Sequence, residues 1–101
     1  MSDQIDVILD TKTKKEIKEP SRYKVLMLND DHTPMDWVID LLIKVFKHSQ
    51  ENAVNLTMTV HNEGSAVVGI YTYEIAEQKV VEAISATRQR GFPLQLTLEE
   101  E

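Results

Sequence analysis

The apolar residues of this chain change period from segment to segment, and that succession limits the folds open to it. Tyr23 to Leu28, YKVLML, is a β-branched and apolar run closed by NDD, which predicts a buried or half-buried strand. From Met35 the apolar residues fall at 35, 38, 39, 41, 42, 45 and 46, the spacing of one helix face. Thr33 and Pro34 offer an N-cap and a favoured first helical residue, so a helix is expected from Pro34 to Lys47. Ser49 caps a second helix with Ala53, Leu56 and Val60 on one face, Thr57 and His61 one turn apart, and an end marked by HNEG. SAVVGIYTY is short and β-branched, hence a strand. Thr72 caps a third helix with Ile75, Lys79, Val80, Ala83, Ile84 and Thr87 on one side, stopped by Gly91 and Pro93. Leu94, Leu96 and Leu98 alternate with polar residues, as in a half-buried last strand before the acidic EEE. The order β-α-α-β-α-β predicts an α+β fold: a small sheet of about three antiparallel strands, with three helices packed on it. Strand order does not follow from this pattern.

A chain of 101 residues is expected to build one core. Residues 1–21 hold only scattered apolar residues among mixed charges and end near Pro20, so they are expected to be a flexible N-terminal extension to a domain spanning 22–101. The cluster IDVIL is the one candidate docking motif in that extension. Seventeen acidic against eleven basic residues give a formal charge of −6, which disfavours nucleic acid and anionic membrane surfaces as partners. With no cysteine there is no disulfide, thiolate metal site or cysteine nucleophile. No stretch is apolar for long enough to form a signal-peptide core or a membrane span, so a cytoplasmic monomer is the expectation.

The chemistry gathers in LNDDHTPMDW, where Asn29, Asp30, Asp31 and His32 lie in a row between a strand and a helix. Three readings fit this cluster together with His61. Asn and Asp before a helix make turn and cap hydrogen bonds. Two carboxylates and an imidazole serve a metal-dependent enzyme or acid–base chemistry. A ring of acceptors holds a cation. Adjacent aspartates leaving a strand diverge, which counts against a shared metal or proton. The glycines, Gly64, Gly69 and Gly91, form no phosphate-cradling pattern.

YKVLMLNDDHTPMDWVIDLL, TVHNEG, TYEIAEQKV and GFPLQLTLE, in this order and spacing, resemble the ClpS family of adaptor proteins over residues 22–99. The resemblance implies binding and not catalysis, without metal or cofactor. Members capture N-degron substrates, which begin with a destabilising residue, and hand them to a Clp AAA+ unfoldase for proteolysis. A free α-amino group is mostly an ammonium at neutral pH and needs acceptors around it. By this resemblance Asn29 and His61 contact that group directly, Asp30 acts through water, and Asp31 and Thr33 support the rim. The implied pocket for a first Leu, Phe, Tyr or Trp side chain is Met35, Val38, Thr57, Val60 and Leu94, with Met35 as a gate against β-branched residues. Taken singly, each of the apolar four is better read as ordinary core at helical or strand spacing. An acceptor role for His61 implies that binding weakens from about pH 8 to about pH 5, because a protonated ring only donates.

One position departs from the pattern, since studied members carry a methionine where this chain has Thr57, and Met58 one step on is rotated by about 100°. Thr57 is shorter and partly polar, so the ranking of first residues is expected to change, favouring an aromatic whose polar atom can meet the hydroxyl. Glu74 and Lys79 resemble contacts to the N-terminal domain of a ClpA- or ClpC-type unfoldase; without the resemblance they read as a solvated helix pair. The alternatives are a metal-dependent enzyme, or a non-degradative interaction module using the same cluster. The bacterial cytosol is the simplest compartment, with a plastid as the other.

Overall fold

The computed structural model describes residues 20–101. The expected flexible extension and its IDVIL cluster lie, up to residue 19, outside the described residues. The elements follow in the order β1 (Arg22–Leu28), α1 (Met35–Lys44), α2 (Gln50–Glu63), β2 (Ser65–Thr72), α3 (Tyr73–Gln89) and β3 (Gln95–Glu100). This is the α+β order expected from the apolar periods.

β1 is the central strand of a three-stranded sheet with order β2-β1-β3, and both pairings are antiparallel. Tyr23, Val25 and Met27 alternate onto the core face, opposite Glu100, Leu98 and Leu96 on β3. Val25 and Met27 are fully buried there, together with Leu42, Val68 and Leu94. The register with β2 slips between Val25 and Leu26, leaving Val68 as the extra residue of a bulge. His48 bonds the Val68 carbonyl through Nε2 at 2.6 Å, so the turn between α1 and α2 is latched to this edge strand. A ring nitrogen facing a carbonyl must donate, which assigns the proton to Nε2. The bulge and latch also blunt an edge that would otherwise offer free strand-pairing groups.

The helix ends differ in detail from the expectation. Ser49 does cap α2, its Oγ accepting from the Asn52 N–H at 3.1 Å, and Gly64 closes that helix with φ 93°. Only glycine enters that left-handed conformation without steric cost. Thr33 does not cap α1: Pro34 holds the cap position, its carbonyl accepting from Trp37 and Val38, while the Thr33 hydroxyl donates to Asp30. α1 stops at Lys44 and not at Lys47, because Lys47 turns to φ 64° and sends the chain away. On α3 the buried face starts at Ala76, and Ile75 is 43% exposed. Thr72 holds the N-cap position of α3 with no side-chain cap bond.

Candidate functional site

The site forms where β1 ends beside the C-terminus of α2. Leu28 pairs with Ser65, and the Asn29 N–H donates to the Gly64 carbonyl at 2.9 Å. The left-handed turn at Gly64 therefore does more than stop a helix: it brings Asn29 alongside His61, one turn back. Asp30 then folds the loop on itself, Oδ2 accepting from the His32 N–H at 3.0 Å and from the Thr33 hydroxyl at 2.8 Å. This is the Asx-type turn expected of such residues, and it employs one carboxylate oxygen, leaving Oδ1 for other partners.

Asn29, Asp30, Asp31, Thr33, Met35, Val38, Thr57, Val60, His61 and Leu94 surround a single cavity of about 300 Å³, in which Pro34 also has a part. The volume is at the small end for ligand cavities, suited to one large side chain. Its rim is polar and partly open, with Asn29, Asp31 and His61 exposed and Asp30 half-buried. Its wall is apolar and closed: Val38, Val60 and Leu94 are buried, as is Thr57 at 3% exposure. Met35 stands at the lip, 39% exposed. Pro34 was missed from sequence although it lies between two named residues; its signal was read as helix initiation alone.

The polar atoms of this cavity are biased toward accepting. Asp30 and Asp31 are carboxylates, and the hydroxyl protons of Thr33 and Thr57 are already given away, the latter to the Ala53 carbonyl at 2.8 Å. The Asn29 amide oxygen and an imidazole nitrogen of His61 are further groups able to accept. Such a rim can satisfy a cation that has several N–H donors. A metal site is a poorer match: among the described residues no three His, Asp or Glu side chains converge to hold a metal ion.

The family model for ClpS, the ATP-dependent Clp protease adaptor protein, matches residues 18–97. The chain belongs to the ClpS family. Its ClpS relatives include the ATP-dependent Clp protease adapter protein of Maricaulis maris, 46% identical over 92% of this chain and 85% of the relative. That of Rhodospirillum centenum is 47% identical over 89% of this chain and 83% of its own length. A solved ClpS structure, that of Agrobacterium tumefaciens ClpS2 bound to L-phenylalaninamide, superposes with a TM-score of 0.80 at 43% identity. The match covers 82% of this chain and all of the Agrobacterium chain. As a ClpS adaptor the chain serves a protease and is not itself an enzyme.

Glu74 and Lys79 lie outside the cavity, on α3. Glu74 is exposed beside a shallow depression formed with Pro20, Tyr23 and Tyr73. Lys79 is half-buried and no freely solvated charge: its Nζ donates to the Val45 carbonyl at 2.8 Å, past the end of α1, and lies 5.9 Å from the Tyr71 ring centroid. A cation there meets the negative end of the helix dipole and an otherwise orphaned carbonyl. The sequence pattern carries no sign of this contact, because it joins segments 34 residues apart.

Proposed function

We propose that this adaptor binds the free α-amino group and bulky hydrophobic first side chain of N-degron substrates and delivers them to a Clp AAA+ unfoldase of the ClpA or ClpC type. The observation that carries the reading is the joining of an acceptor rim to a closed apolar cavity sized for one side chain. Asn29 and His61 accept from the ammonium directly, and Asp30 supplies charge complementarity from its free oxygen. Burying a Leu- or Phe-sized side chain in the wall of Val38, Thr57, Val60 and Leu94 contributes roughly 1.5–3 kcal/mol, which a small or charged first residue forgoes. Met35 at the lip acts as the gate. The Agrobacterium ClpS2 ligand, L-phenylalaninamide, combines these two features, a free amine and an apolar side chain, which supports the reading.

Delivery calls for a second surface, to which we assign the exposed Glu74 and the neighbouring part of α3, with residues 1–21 as the extension engaged by the unfoldase. The adaptor works as a monomer in the bacterial cytosol. Fluorescence anisotropy with labelled peptides beginning with Leu, Phe, Tyr, Trp, Ile, Met or Ala tests the recognition step. Binding to Leu and aromatic starts, abolished by N-acetylation, is the expected result; indifference to acetylation refutes it.

A further inference from the structure

Thr57 is the one polar side chain in the buried wall formed by Val38, Thr57, Val60 and Leu94. Its hydroxyl has a fixed polarity. The proton goes to the Ala53 carbonyl one turn back in α2, at 2.8 Å and out of reach of water. A back-bonded hydroxyl keeps its lone pairs but has no proton left to offer. Within the cavity it can therefore accept a hydrogen bond and cannot give one.

Its depth is defined by the helix. His61 at the rim and Thr57 in the wall are four residues apart on α2, about 6 Å along the axis. That span is comparable with the reach from the α-carbon of a first residue, held at the rim by its amine, to the N–H of an indole or the O–H of a phenol. Indole N–H and phenol O–H groups that are buried without a partner lose their hydrogen bonds to water, a loss that phenylalanine and leucine do not face.

Resting on the proposed reading of the site as an N-terminus receptor, we propose that Thr57 is a specificity-determining residue that selects donor-bearing aromatic first residues, Trp and Tyr, over Phe and Leu. Thr57 accepts from the ligand while its own proton stays on Ala53. The residue thus ranks ligands inside the hydrophobic class, since the rest of the buried wall, Val38, Val60 and Leu94, is apolar.

The test compares Thr57→Val, which keeps the shape and removes the acceptor, with Thr57→Ser, which keeps the acceptor. Anisotropy titrations use peptides identical except for a first Trp, Tyr, Phe or Leu. Thr57→Val should weaken Trp and Tyr peptides about three- to tenfold relative to Phe and Leu peptides, the worth of one hydrogen bond. Thr57→Ser should keep the wild-type order. A second arm leaves the protein untouched: a peptide starting with 3-benzothienylalanine, which puts sulfur in place of the indole N–H at nearly the same shape, should bind wild type about threefold or more weakly than its Trp counterpart. Equal affinity of these two peptides, or a Thr57→Val effect shared by all four residues, overturns the proposal. Each peptide is also run N-acetylated. If acetylation abolishes binding but the ranking ignores Thr57, only this inference fails; if acetylation has no effect, the N-terminus reading fails with it.

Discussion

Asp30 and His61 look alike as polar groups at one rim, but they hold different structural duties. Asp30 accepts twice within its own loop, whereas His61 is exposed at the end of α2. His61→Ala and Asn29→Ala should each weaken an N-degron peptide about tenfold or more, the worth of a hydrogen bond to a charged group, with little change in thermal stability. Asp30→Ala should lower both affinity and stability, the latter by about 1 kcal/mol, since it also releases the Thr33 hydroxyl and the His32 N–H. Peptide titration beside thermal unfolding checks the contrast; equal loss of stability in all three variants would contradict it. The acceptors could be named from sequence because their types and the chain breaks around them carry the chemistry. The internal use of Asp30 could not, since Thr33 had two available roles, helix cap or donor, and only the three-dimensional loop chooses between them.

Among the elements, periodicity located every helix and strand between Arg22 and Glu100. It was weakest at ends and edges. α1 ends where Lys47 adopts a left-handed conformation, for which a lysine gives no warning, and Ile75 reads as core although α3 turns it outward. Lys79 shows how an element-level contact separates two proposed partners of one surface. Its bond to the Val45 carbonyl ties α3 to the end of α1, so Lys79→Met should cost about 1 kcal/mol of stability even without any partner. Glu74 is exposed and makes no such tie among the described residues, so Glu74→Ala should leave the unfolding temperature unchanged while weakening binding to the unfoldase N-terminal domain. Thermal scans and a binding titration with that domain check both; an unfolding temperature unmoved in Lys79→Met would show the bond to be idle.

For the whole molecule, strand order was invisible in the sequence because three strands of similar composition can pair in more than one way. β1 takes the centre, with its neighbours on either side arriving from the far ends of α2 and α3. Tyr71 on β2 ties the sheet to solution conditions, since burial raises the pKa of its phenol above the usual 10.0. A raised folded value favours the neutral form, so this contribution is complete below about pH 10 and fades as pH climbs through the folded value. Unfolding temperatures at about pH 8 and about pH 11 should differ less for Tyr71→Phe than for wild type; an identical alkaline loss in both would exclude this cause.

On the proposed function, the cavity between α1, α2 and the Asn29 loop receives a free N-terminus. Nitrogen–proton correlation NMR during titration with L-phenylalaninamide, and with its N-acetylated form, tests that claim most directly. The free amine should shift the backbone signals of Asn29, Thr57, His61, Gly64 and Leu94, and the acetylated compound should shift none of them. Shifts gathered instead at the groove of His48, Asn52, Val67 and Ile70, or the same shifts from both compounds, would contradict the account.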